Sequence, residues 1–560
     1  MRIRSIGIRL AAPLVAVALV ATGCGGGDDN SAAVSADLGA TSDINPHDVA
    51  DLKDGGNLRL AISAFPSNWN TLSVDGNDAE IMGVERSIMP RAFNSDAAGN
   101  LSVDTDYFTN VELTNENPQQ VTYTINPKAV WSDGSPITWE DISSQAQALS
   151  GRDKGFLIAN NQGFDRVEKV ERGADDRQAV LTFSKHFGEW KGQFAGNSVL
   201  FPKSVTGTPD AFNKSLVNAI SLTSGPFTVQ STDRGQGRIV LGHNPKWWGP
   251  TPKLDTITFS ILDSKAWVPA LQNNELDVAG LGTRDDIKTA QSTAGVTIRR
   301  SNSTQWSHLT FNGAPGSILA DPNLRVAIGK AIDRQGIATA MQNGVVTDPK
   351  PLNNHIYLKN QKGYQDNSLG FDPDAAAKEL DAIGWKVPAG GGTREKDGRK
   401  LEIRDVMYND PTWVQIAQII QQNLDRIGVK LTIDTKPGQD FFPKVIKPGD
   451  FDVAQWSWVG DLFPIGSIDQ IWGYHPDDVQ GNYGRIGSPE LNDLIEQTVS
   501  ELDPQKAIDL ANQVDKKIFE EGHSLPLMQT PANIGIRADI ANYGAAGLAT
   551  IDYTKIGFLK

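Results

Sequence analysis

The sequence predicts an exported α/β protein of two or three domains. Three observations carry this. A basic and apolar leader ends at the chain's only cysteine, Cys24. A run of helices opens on Asp-Pro and Ser-Pro pairs. Short alternating segments before and between those helices have the period of β-strands.

The leader comes first. Arg2, Arg4 and Arg9 precede an uncharged, mostly apolar run from Leu10 to Ala21. That run is too short to cross about 30 Å of hydrocarbon as a helix. A basic start, a short apolar stretch and small residues at its end read as a signal peptide over residues 1–23. Residues 24–54 follow, rich in Gly, Ser, Ala and Asp and free of aromatic residues. Too little apolar surface lies there to offset the entropy of ordering, so the segment is expected to be a flexible tether.

The remaining residues have a globular composition. The whole chain is 39% hydrophobic and 21% charged, with a formal net charge of -15. An acidic chain offers no basic face for nucleic acid. Asn57 to Ile62 alternates as a strand, and so does Val121 to Ile125. Val167 to Val170 and Val180 to Phe183 flank a turn-rich stretch and read as a hairpin. In the second half, Asp321-Pro322, Asp372-Pro373, Asp410-Pro411, Ser488-Pro489 and Asp503-Pro504 each precede an amphipathic run. The acidic or hydroxyl side chain accepts from first-turn N–H groups, and proline stands where no donor is needed. Gly344, Gly384, Gly428 and Gly522 stand at the far ends. Val429, Leu431 and Ile433 then alternate directly after Gly428, the helix-then-strand order of an α/β lobe.

Chemistry-bearing motifs are scarce. No two of the seven histidines are three or four apart, and one cysteine excludes a thiolate zinc site. There is no HExxH, no G-x-S-x-G and no phosphate-binding glycine loop. The chain is read as a non-enzyme needing no cofactor and no metal. Tryptophan is abundant, with 13 residues. Trp456 and Trp458 lie two apart on a strand that ends at Gly460-Asp461. α/β lobes place ligands at such strand ends.

Several segments resemble known families. Val20-Ala21-Thr22-Gly23-Cys24 resembles a bacterial lipobox, with Ala21 where leucine is usual, which implies lipidation at Cys24. Trp131-Ser132-Asp133-Gly134-Ser135-Pro136 to Asp141 resembles the W-S-D-G-x-P segment of family 5 extracellular solute-binding proteins. Ser224-Gly225-Pro226-Phe227, His243-Asn244-Pro245-Lys246-Trp247-Trp248-Gly249, Leu271 to Val278, the Leu324 to Arg334 segment, Asp372 to Trp385, Gly449 to Asp452 and Glu521 to Leu527 follow in the family's order.

The resemblance implies a periplasmic-binding-protein-like fold of two lobes with a ligand cleft between them. Residues 55–308 would form lobe I with a small inserted domain. Residues 309–521 would form lobe II, and 522–560 would return to lobe I, with crossings near Leu309 to Asn312 and near Gly522. Trp458-Val459-Gly460-Asp461 is similar to the family's W-x-[GA]-D, whose aspartate binds a peptide's α-ammonium. Trp306, Asn312, Phe65 and Trp69 are further candidate ligand contacts. Gln455 stands where some relatives carry an arginine for the ligand carboxylate. The implied protein is a monomeric, membrane-anchored receptor that delivers short peptides to the permease subunits of an ABC importer. Alternatives are a sensing or envelope-regulating lipoprotein, or a receptor for haem, nickel or another small solute.

Overall fold

The structure, a computed structural model, describes residues 42–220 and 222–560. The expected signal peptide and Cys24 lie outside them. Among the described residues no helix is long and apolar enough to cross a membrane.

Three sheets organise the chain. The first takes strands Asn57–Ile62, Thr256–Ile261, Arg238–His243 and Phe227–Asp233 in that order, the first pair parallel and the rest antiparallel. A second antiparallel sheet, Phe108–Glu116, Gln119–Ile125, Gln178–Phe183 and Val167–Arg172, contains the expected hairpin. The third has six strands in the order Val278–Gly280, Ser524–Arg537, Val296–Phe311, Val453–Val459, Glu402–Tyr408 and Lys430–Lys436.

The W-S-D-G segment is a structural device. The Asp133 carboxylate accepts from the Ser135 N–H at 2.8 Å, closing a turn. Thr138 and Asp141 then form a reciprocal capping box at the start of helix Trp139–Leu149. Each Pro-initiated helix has the cap its sequence predicts. Asp321, Asp372, Asp410, Ser488 and Asp503 accept first-turn N–H groups ahead of helices Pro322–Lys330, Pro373–Ala382, Pro411–Asp425, Pro489–Ser500 and Pro504–Glu521.

Two long strands tie the halves together. Val296–Phe311 and Ser524–Arg537 pair antiparallel from Val296↔Arg537 to Thr310↔Ser524. One end of the pair borders Val278–Gly280 and the other borders Val453–Val459. The boundary expected at residue 309 therefore falls inside a continuous strand. The register instead breaks between Asn302 and Trp306 and again between Ser307 and His308, and such irregularities bend and twist a ladder. The segment expected as lobe II is also divided. Leu324, Leu380, Ile403 and Leu431 share one buried cluster, whereas Leu491, Ile495, Val514 and Ile518 join the cluster of Leu60 and Val121. Arg166 reaches Glu496 with both terminal nitrogens, at 3.1 and 2.7 Å.

The tether reading is corrected at its end. Residues 43–54 pack on the C-terminal segment through bridges Asp43↔Ala545 and Leu52↔Leu559. The Asn45 side chain donates to the Ile540 carbonyl, and the His47 N–H donates to Asn542. Hydrogen bonding by short polar residues, with Leu52 buried, holds a stretch that composition reads as free.

Gln455 faces the interior of the six-stranded sheet. Its Nε2 donates to Asp405 at 2.6 Å, and neither residue is exposed. Burial pushes the Asp405 carboxyl up to about 8. The folded chain thus keeps a proton that the unfolded chain loses near pH 4. Stability from this site falls as pH rises between those values. Replacing Asp405 by Asn is expected to raise the unfolding temperature more at pH 8 than at pH 5. Equal shifts at both pH values would refute this.

Candidate functional site

The Val453–Val459 strand alternates, so Trp456 and Trp458 share one face and Gln455 and Ser457 the other. Opposite them on the neighbouring strand stand His308 and Trp306, in the pairs His308↔Trp456 and Trp306↔Trp458. The Trp458 ring lies parallel to His308 at 5.8 Å and to Tyr483 at 6.3 Å. Trp456 meets His308 edge-on at 4.4 Å. Trp456 Nε1, Trp458 Nε1 and His308 Nε2 are buried without hydrogen-bond partners. Unmade hydrogen bonds of this kind are costly, and a ligand or water relieves them. Burial holds the His308 pKa well below the usual histidine value, so the ring is neutral at physiological pH. A pocket of about 10 Å³ opens between Trp456, Trp458, Trp472, Tyr483 and His523, close to the room one water takes.

The strand ends at Val459, and Gly460 and Asp461 follow. Gly460 has an ordinary backbone conformation; it is needed for close approach instead. A Cβ there would lie 3.2 Å from the Thr304 carbonyl and from Leu358, and the Gly460 N–H donates to that carbonyl at 2.8 Å. The Asp461 carboxylate accepts from the N–H groups of Leu462, Phe463 and Asn197. Asn197 lies 264 residues away in sequence. Burial raises the Asp461 pKa, while these N–H groups and the more distant Arg86 lower it.

Beside this loop lies a cavity of about 280 Å³ lined by Glu189, Tyr357, Gln361, Pro464, Ile465 and Glu501, among others. The Glu189 Oε2 accepts from the Gly466 N–H at 2.6 Å. Burial, reinforced by the Asp461 charge, pushes the Glu189 carboxyl up to about 8. Among the described residues, no lysine or arginine forms an ion pair with Glu189 or Asp461.

The other candidates separate. Trp306 is buried within the aromatic face. Asn312 is occupied in holding a loop: its Nδ2 donates to the carbonyls of Gly449 and Phe451, and its Oδ1 accepts from Ala314. Phe65 lies under the Arg234 guanidinium, 4.8 Å from its ring centre. Trp69 is a core residue, 1% exposed. The site also gains Glu189, Tyr357, His308 and Tyr483. No spacing in the sequence marks Glu189 or Tyr357, whose positions arise from the pairing of distant segments. Among the described residues, no group of three or more His, Cys, Asp or Glu is placed to hold a metal.

Two halves joined by a pair of long strands, with an aromatic pocket on the Val453–Val459 strand and a separate cavity beside the loop after it, fit a solute-binding receptor of the two-lobed kind. The chain belongs to the bacterial extracellular solute-binding proteins, family 5, whose middle-region model matches residues 107–476. That family consists of receptors rather than enzymes. The oligopeptide-binding protein OppA of Mycobacterium tuberculosis (strain H37Rv) is 52% identical over 558 residues, covering 98% of this chain and 93% of its own length. The periplasmic EDTA-binding protein EppA superposes with a TM-score of 0.84 at 25% identity, over 93% of this chain and 99% of that one. AppA from Bacillus subtilis, solved in complex with a nonapeptide, gives 0.77 at 18% identity, over 91% and 100%.

Proposed function

We propose that the protein binds short peptides by their free amino end and hands them to the permease subunits of an ABC importer. One observation carries the reading. A carboxylate without an ion-pair partner, Asp461, stands at the end of the Trp458 strand, one residue before Leu462 in the lining of a cavity. A peptide's ammonium is costly to bury unless a carboxylate faces it, and an extended backbone supplies further hydrogen bonds regardless of sequence. The 52% identical relative named as oligopeptide-binding supports the same ligand class.

Native mass spectrometry of the untagged protein, followed by calorimetry with a free tripeptide such as Ala-Ala-Ala, tests the reading. Co-purified peptides and saturable binding support it. Failure to bind any free peptide of two to nine residues would end it.

The Val20 to Cys24 stretch supports lipid anchoring at Cys24 on the outer face of the cytoplasmic membrane. Cys24→Ala is expected to move the protein from the membrane fraction to the soluble fraction. A variant that still sediments with membranes would place the anchor elsewhere.

A further inference from the structure

The cavity holds more polar equipment than one ammonium group uses. Glu189 reaches it from the loop between strand Gln178–Phe183 and the short turn Trp190–Phe194, whereas Asp461 belongs to the loop after Val459. The two acids brace the same segment: Asp461 holds the Leu462 N–H and Glu189 the Gly466 N–H. Facing Glu189 is Tyr357. Its side chain is almost wholly buried, its hydroxyl has no hydrogen-bond partner, and the Glu189 charge acts on it. Gly363 lets the chain pass close to this ring, since a Cβ there would lie 2.4 Å from its Cζ.

The other charged groups at the cavity do not pair with Glu189. Glu501 accepts from the Asp503 N–H at 2.9 Å. Lys362 lines the rim with an exposed side chain. The remaining wall includes Pro464, Ile465, Ala507 and Leu548. A cavity whose wall carries apolar side chains together with the Glu189 carboxyl and an unsatisfied hydroxyl suits the stem and head of a long basic side chain, whose charge favours the ionised carboxyl.

We propose that Glu189 and the Tyr357 hydroxyl form a second polar subsite, which takes the basic side chain of the first or second residue of a bound peptide. The receptor then prefers peptides with lysine or arginine next to their free amino end. This rests on the peptide reading above.

Calorimetry with Lys-Ala-Ala and Ala-Lys-Ala, each against its norleucine counterpart, tests it, because norleucine keeps the stem and removes the charge. One lysine peptide is expected to bind about tenfold tighter than its counterpart. Glu189→Gln, whose amide oxygen still accepts from Gly466, is expected to bring that ratio to about twofold or less and leave the norleucine affinity unchanged. Tyr357→Phe is expected to reduce the ratio partly. If the wild-type protein binds the norleucine peptides as tightly as both lysine peptides, the subsite is refuted and the peptide reading stands. Equal losses for both members of a pair in Glu189→Gln would make Glu189 a structural residue and refute the subsite likewise. Binding of neither lysine peptide would remove the subsite, and the peptide reading falls only if no free peptide of two to nine residues binds.

Discussion

Asp461→Asn is expected to lower the affinity for a free tripeptide at least about tenfold while leaving the N-acetylated peptide nearly unaffected. A charge-assisted hydrogen bond in a closed site is worth about 1.5–3 kcal/mol, which converts to roughly 10- to 150-fold in affinity. Asparagine preserves the shape and one acceptor, so the Leu462 and Phe463 N–H groups keep a partner. What is lost is the charge. The acetylated peptide has no ammonium to pair with it, so its binding reports everything else the substitution changes. Calorimetry with the two peptides separates the cases. Equal losses for both, or none for either, would assign Asp461 only to the turn it caps and to its bridge with Asn197.

The local parts of this fold were legible because they are set by neighbouring residues. A capping side chain and a proline specify a helix start within four residues, so the five helices expected from the Asp-Pro and Ser-Pro pairs are found where the sequence puts them. Trp456 and Trp458 were readable for the same reason, since period-two alternation fixes their shared face. Other features depend on pairing between distant segments. The shift of register near Asn302 arises against Thr530 and Pro531, more than two hundred residues away, and no local pattern announces it. Asn312 follows the strand Val296–Phe311 and looked free to meet a ligand, yet the Gly449 and Phe451 carbonyls claim it. Glu189 is one acid among 67 acidic residues. Only the approach of the Gly466 loop gives it a meaning.

The position of Gln455 shows how one substitution redirects a site. In the resemblance, an arginine at this point serves the ligand's carboxylate. Here the side chain is turned away from the Trp458 face and bonded to Asp405. A guanidinium in the same place would meet a carboxyl inside the sheet packing.

Arg325→Ala is expected to destabilise the protein by on the order of 3 kcal/mol or more without a matching change in peptide affinity. Arg325 lies on helix Pro322–Lys330 and is 4% exposed. Burial brings its pKa down to about 10, so it remains charged at neutral pH. Among the described residues no carboxylate forms an ion pair with it. Its guanidinium instead donates to four carbonyls: Leu319 at 2.8 Å, Ala320 at 2.9 Å, Gly522 at 3.0 Å and Glu521 at 2.6 Å. Glu521 ends helix Pro504–Glu521, where the unpaired carbonyls and the helix dipole favour a cation. Gly522 then turns the chain in the left-handed region at φ 65° into strand Ser524–Arg537. A side chain there would press on Arg325, since a Cβ would lie 2.8 Å from the arginine Cβ. One arginine thus fixes the point where the last helix becomes one of the two strands that join the halves. Each buried acceptor left unpaired costs about 1–3 kcal/mol, and several are released together. Urea unfolding monitored by tryptophan fluorescence should show a lower midpoint with an unchanged slope. A midpoint within experimental error of the wild type would mean that water replaces the guanidinium at no cost. An affinity loss as large as the stability loss would mean instead that the hinge, rather than the packing, depends on it.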